Sequence, residues 1–410
     1  MIGIPSPSGN NPVTIRQGTP LSDAFGRVRV SDPHTIFDSK HLHDKNPLLW
    51  DAVISGAGAS STHSTTDADI TMVVTDDGEY VIRQTKRKFN YQSGKSQEIL
   101  ETGVIGDTTG TINRIGFFDG AVTGTFLPKN GIFLQSADNV ASLNIIKNGD
   151  TENQEIALQS NWNLDRMDGT GPSGITIDFT KTQILLIDFE WLGVGTVAIG
   201  FVINKMIYYV HNFHHANLFE TVYMSSPNLP VRYEIRSTGG SGQLKQLCCS
   251  VVSEGGLQPT GISYSIDRGI SALNVDTNDD YYVGMAVRLK STHLDSSIDI
   301  TRITAITATN ADMHWILLLN PTVSSPLTFG DLANSAIQYS VQDGFTVTGG
   351  HVIDSGYYTQ ESNQVNVSVT SAIKLGSTIA GVSDVVVLAF QRIINQNEDV
   401  LCAINIFEQI

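Results

Sequence analysis

The sequence predicts an all-β protein: one or two antiparallel β-sandwich or jelly-roll domains preceded by an extended amino-terminal arm. Three observations lead there. Short apolar or alternating runs recur between Gly, Asn and Asp, the period-two pattern of strands with one buried face. Helical periodicity is scarce and no helix alternates with the strands, which excludes an α/β sheet. Charged residues supply only 16% of the chain, against about a quarter in an ordinary globular protein, while 37 glycines supply turns. A chain of 410 residues is long for one domain and comfortable for two, each with a core of its own.

The arm is expected over residues 1–40. Pro5, Pro7, Pro12 and Pro20 punctuate a stretch rich in Ser, Gly and Asn, which disfavours both helix and sheet interior. It contains the alternating segment Phe25-Gly26-Arg27-Val28-Arg29-Val30, whose apolar and basic faces suit addition to the edge of an acceptor sheet. A first sandwich is expected over residues 41–255, with strands near 70–74, 80–84, 131–135, 142–146, 184–192, 196–203, 206–211 and 231–237. Asp76-Asp77-Gly78 reads as the turn of a hairpin between the first two of these, and Asn204-Lys205 as a second hairpin turn. A second β-rich domain is expected over 256–410, after the turn Ser253-Glu254-Gly255-Gly256. Its runs lie near 281–289, 300–306, 315–319, 337–339, 345–348, 365–369, 384–390 and 401–407. The unbroken apolar run 385–389 fits a central strand buried on both faces. Periodicity leaves open whether the last strands instead complete the first sandwich.

Charge and cysteine narrow the partners. Acids outnumber bases 41 to 25, and the net charge of -16 repels a phosphate backbone, so no nucleic-acid partner is expected. Cys248, Cys249 and Cys402 form no C-x-x-C pair, and reduced thiols in a chain assembled in a cytoplasm are expected. The amino terminus shows no export signal. The most apolar stretch, 184–210, is interrupted by Asp188, Glu190, Asn204, Lys205 and glycines, so no membrane helix is expected and a soluble protein is.

Candidate chemistry is sparse. His211 and His215 share one face of an extended strand while His214 opposes them, and two imidazoles do not make a zinc site. Buried or interfacial rings are expected instead. Asp188 and Glu190 alternate on one strand face, superficially like the paired carboxylates of a glycosidase, yet an exposed sheet face explains them equally well. Gly193, Gly195 and Gly200 miss the spacing of a dinucleotide-binding loop and are read as a turn between strands. Asp165 and Asp168 sit in a Gly-rich loop that departs from the EF-hand pattern and lacks its closing Glu, so a structural loop is expected. Asn366-Val367-Ser368 fits a glycosylation acceptor by chance. No catalytic residue, metal site or cofactor is expected. Basic residues gather once, at Arg83, Lys86, Arg87, Lys88 and Lys95, either as a patch for an acidic neighbour or as a charged edge strand that blocks unwanted pairing.

Several strings resemble virion structural proteins of tailed bacteriophages and similar proteins of some large DNA viruses. They are Asp23-Ala24-Phe25-Gly26-Arg27-Val28-Arg29-Val30-Ser31, Phe37-Asp38-Ser39-Lys40, Pro47-Leu48-Leu49-Trp50, Arg83-Gln84-Thr85 and Tyr91-Gln92-Ser93-Gly94-Lys95-Ser96. The run from Trp162 through Asp165, Asp168 and Gly174 and the run from Ser226 through Asn228 and Arg232 to Ile235 extend the resemblance over roughly residues 20 to 256. It implies a place in the particle, capsid-associated as decoration, cement or minor capsid protein, or else tail-associated. The expected partners are copies of the chain and other virion proteins, with no catalysis. The assembly candidates are Phe25, Arg27, Val28, Arg29, Val30, Arg83, Lys86, Arg87 and Lys88. The alternative is a lectin-like fibre or spike protein recognising host surface glycan, with Tyr357, Tyr358 and Trp315 as candidate contacts.

Overall fold

The computed structural model describes residues 2–4, 13–15, 32–106, 108–121, 126–307, 312–358, 364–368, 374–393 and 398–409. The chain is all-β, with antiparallel sheets throughout. Among the described residues the only helical element is one 3-10 turn, Gln159–Asn161.

Two sheets form the amino-terminal sandwich. Sheet 1 runs Glu155–Leu158, Val140–Ile146, Pro128–Ala137, Thr111–Gly120, Val231–Ser237, Tyr80–Thr85, Trp50–Ser55. Sheet 2 runs Met206–Phe213, Val197–Ile203, Thr182–Phe189, Ser96–Val104, Gly242–Glu254, Asp69–Val74, Ser60–Ser64, with His34–Lys40 also pairing with Gly242–Glu254. The strand Val231–Ser237 shows why these sequences take these places. Val231, Tyr233 and Ile235 alternate into the core between the sheets, opposite Ile99, Leu185 and Val251 of sheet 2. Arg232 and Glu234 take the other face. Each fully buried aliphatic or aromatic side chain in that core contributes about 1.5–3 kcal/mol.

The later strands pair only with one another among the described residues. Sheet 3 runs Gly261–Asp267, Glu398–Gln409, Ser297–Thr307, Gln364–Ser368, with Leu273–Val275 also on Glu398–Gln409. Sheet 4 runs Thr322–Val323, Thr346–Thr348, Tyr281–Leu289, Val385–Arg392, Met313–Leu319, His351–Tyr358, with Ile337–Ser340 and Gly330–Asp331 beside Tyr281–Leu289. The apolar run 385–389 is a central strand. Val386, Leu388 and Phe390 enter the core against sheet 3, while Val387 and Ala389 face Ile316 and Leu318 beneath Leu327 and Phe345.

Three sequence expectations change. Residues 76–78 do not close a hairpin, because Asp69–Val74 belongs to sheet 2 and Tyr80–Thr85 to sheet 1. The loop is an arch between sheets, closed by the Glu79 carboxylate, which accepts the amides of Thr75 at 2.8 Å, Asp76 at 3.1 Å and Gly58 at 2.6 Å. Asn204-Lys205 does close one, with φ of 52° and 69° between paired Ile203 and Met206. Residues 34–40, expected in the arm, are a strand of sheet 2. Tyr80–Thr85, which holds Arg83 of the basic group read either as a docking patch or as a charged edge, lies between two neighbours inside sheet 1 and is no edge.

Candidate functional site

Of the basic residues, Lys86, Arg87, Lys88 and Lys95 lie at the junction of the two halves of the chain, and Arg83 lies within the first. Arg83 is 1% exposed. Its Nε donates to Gln246 Oε1 at 2.6 Å and its Nη2 to the Lys45 carbonyl at 2.8 Å, with the guanidinium over the Trp50 ring. Burial pulls its pKa down to about 10, with Asp51 opposing. Arg83 is therefore engaged inside the first sandwich rather than on the surface of the chain. Lys88 pairs with Asp119 at 2.9 Å, and the Lys86 carbonyl accepts the Ser377 amide at 2.9 Å. Arg87 stands over the Phe89 ring, and its pKa is lowered by burial against the field of Asp299. Asp299 also pairs with Lys374 at 2.9 Å. Close by, the Ile379 amide donates to Asp51 at 2.7 Å and its side chain packs on Ile82 and Phe126.

The carboxylates and histidines disperse. Asp188 is half-buried, accepts the Tyr209 hydroxyl at 3.3 Å and is the register partner of Glu98. Burial raises the pKa of both, and neighbouring carboxylates add to it. Tyr209 is pushed up to about 12 by burial and by Asp188. Glu190 lies past the strand end at Phe189 and accepts the Thr196 amide at 3.3 Å. His211 accepts the Asn163 amide at 3.2 Å, whereas His214 is exposed. His215 is buried, stacked on Tyr223 at 4.1 Å, with its ring nitrogens facing the Gly195 carbonyl and Glu155. Among the described residues no three His, Cys, Asp or Glu side chains gather as metal ligands.

The loop of Asp165 and Asp168 is held by its own amides. Asp165 accepts Met167 N–H at 2.9 Å and Ser173 N–H at 2.8 Å, and these outweigh the opposing effect of burial to lower its pKa. Asp168 accepts both the amide and the hydroxyl of Thr170.

Exposed features lie elsewhere. Phe25, Arg27, Val28, Arg29 and Val30 fall outside the described residues. Ahead of them, Ile2–Ile4 pairs with Val13–Ile15 as a two-stranded ribbon that, among the described residues, joins none of the larger sheets. In sheet 4 the strand His351–Tyr358 pairs only with Met313–Leu319, so its far edge has no strand partner among the described residues. Tyr357 on that strand is 71% exposed and stacks on His314 at 4.3 Å. Trp315, the expected companion, is 3% exposed inside the second core, and the Tyr358 side chain lies outside the described residues. Sequence reasoning missed the half-buried Trp191 beside Tyr91, whose indole N–H donates to the Met224 carbonyl.

No protein-family model and no curated protein matches the chain. Among solved structures it is similar to a legume lectin-like domain from Entamoeba histolytica, at 12% identity over 53% of this chain and 96% of that one, with a TM-score of 0.34. It is similar to a β-glucanase of Bacillus licheniformis at 10% identity over 56% and 100% of the two chains, TM-score 0.32. A carbohydrate esterase from the Shiga toxin-encoding bacteriophage phi24B matches at 8% identity over 54% and 99%, TM-score 0.32. Likeness at this level carries nothing about ligand or reaction.

Proposed function

We propose that this chain is a structural protein of a virus particle, capsid-associated or tail-associated, whose activity is assembly with its own copies and with other virion proteins. The observation that carries the reading is the amino-terminal ribbon. Strands of three residues in an isolated pair are not stable in water. Here Ile2 is in register with Ile15 and Ile4 with Val13, and so short a pair gains stability only against a further surface. The open edge of His351–Tyr358 offers such a surface on a neighbouring copy, since an unpaired edge accepts main-chain hydrogen bonds from an added strand. The alternating segment 25–30 follows the ribbon closely enough in sequence to take part. The sequence resemblance to virion proteins supports the same reading.

The test compares the full chain with a variant lacking residues 1–30, by sedimentation velocity and by incorporation into particles. The full chain is expected to self-associate and enter particles, and the deletion variant to stay monomeric with a nearly unchanged melting temperature. Equal incorporation of the two would end the proposal.

A further inference from the structure

We propose that the cavity walled by Trp191, at the junction of the two halves of the chain, is a binding site for an uncharged saccharide. The cavity measures about 450 Å³, within the usual size range of small-ligand pockets. Four separate segments build it: residues 90–95, Trp191, Pro227 with Asn228, and the connection through Gln258 and Thr260.

The wall is apolar and fixed. Trp191 is half-buried, its N–H is held by the Met224 carbonyl at 3.1 Å, and its ring meets Tyr91 edge-on at 6.4 Å. Tyr91 in turn stacks on the core residue Phe189 at 5.7 Å. A ring held in this way offers apolar surface to the C–H face of a pyranose without losing side-chain freedom on binding.

The rim is rich in carboxamides. Asn90, Gln92, Asn228 and Gln258 all line the cavity, and each carries both donors and an acceptor, as sugar hydroxyls require. Their frame is pre-set. Asn228 accepts the Tyr91 amide at 2.9 Å and donates to the Asp295 carbonyl at 3.3 Å, while Gln92 exchanges hydrogen bonds with the main chain of Gln258. The one charged lining residue, Lys95, already donates to Gln92 Oε1 at 3.0 Å and to the Gly256 carbonyl at 2.8 Å. No Asp or Glu is among the lining residues, so the cavity suits retention of a neutral sugar and offers no carboxyl pair for cleaving one. The proposal is independent of the assembly reading, because its residues belong neither to the ribbon nor to the open edge.

The experiment is saturation-transfer NMR on the full chain with lactose, cellobiose, maltose, mannobiose and chitobiose as separate probes. Transfer to at least one is expected, with a dissociation constant on the order of millimolar for so open a site. Trp191→Ala should weaken that binding at least about tenfold, Gln258→Ala about threefold to tenfold, and Tyr357→Ala not at all. Trp191→Phe, which keeps an aromatic wall, should retain most of the affinity and serves if the alanine variant fails to fold. Absence of transfer from all the probes, or binding that survives Trp191→Ala or is removed by Tyr357→Ala, would overturn the proposal.

Discussion

Glu234 and Glu101 are both buried in the first sandwich, one on the outer face of sheet 1 and one between the sheets, and live in opposite electrostatic surroundings. Glu234, 1% exposed on the outer face of sheet 1, accepts Arg114 Nη1 at 2.7 Å and Arg232 Nε at 2.7 Å. Arg232 is itself held by Gln84 at 2.9 Å and stands over Phe118. Glu101, 0% exposed on the inner face of sheet 2, has no hydrogen bond to either oxygen. Burial drives its pKa well above the ordinary carboxyl range, and the nearby Gly116 amide and Tyr233 hydroxyl oppose this without completing a bond. The neighbouring strands thus decide whether a buried carboxyl meets cations or is pushed toward its neutral form.

Removing Glu234 tests the first half of that contrast and should have the largest effect. Glu234→Leu leaves two buried guanidinium groups without their carboxylate, at a cost of about 3–5 kcal/mol, read from urea denaturation. A loss below about 1 kcal/mol, the scale of an exposed pair, would mean that the arginines are satisfied by other groups.

Glu101 should behave in the reverse sense. Its folded-state pKa is raised, so its contribution to stability is fully present below the unfolded value of about 4.3 and is lost as pH rises toward the folded pKa. Within that window the wild type should lose up to about 1.4 kcal/mol per pH unit relative to Glu101→Gln, which carries no titrating group. Stability curves of the two proteins that run parallel from pH 4 upward would show that Glu101 is not desolvated as its position requires.

These environments were not legible in the sequence, although most strands were. Period-two alternation marks Val231–Ser237 and the apolar run within Val385–Arg392 because one or both faces of a strand must be buried, and that is a local property. Partnership is not local. Arg83 meets Gln246 and His215 meets Glu155 across long stretches of chain, so the first read as a surface charge and the second as a buried or interfacial ring with no partner named. The residues around Trp191 come from four segments, and only folding brings them together. The Asp-Gly signal after Val74 gave the right turn and the wrong destination, since turn chemistry does not state which sheet the next strand joins.

Arg87 is an intermediate case, half-buried at the junction with Asp299 acting across it. Arg87→Glu would oppose a carboxylate with a carboxylate, and a loss of about 1–3 kcal/mol is expected. It should also speed proteolysis of the connection between Glu254 and Gly261 as the halves loosen. If self-association fails while the melting temperature and proteolysis stay unchanged, Arg87 serves an external partner after all.

Glu79 completes the series as a buried carboxylate held without a cation, by main-chain amides together with the Thr75 hydroxyl at 3.3 Å, and its substitution should have the smallest effect. The Thr75 amide, followed by those of Gly58 and Asp76, lowers its pKa against the opposing effect of burial. The arch depends on this approach: a Cβ at Gly56, where φ is +110°, would sit 2.4 Å from Glu79 Cγ. Glu79→Gln keeps one acceptor oxygen and turns an NH2 group toward the remaining amides, so part of the network survives. Because the folded-state pKa is depressed, the stabilising contribution is present above the unfolded value and disappears as pH falls through the folded one. The urea midpoint of the variant should therefore lie below that of the wild type at neutral pH, and the gap should close in acid, where protonated Glu79 resembles the amide. A gap that persists unchanged in acid would locate the effect in packing rather than charge, and main-chain amides would then not substitute here for the arginines that Glu234 uses.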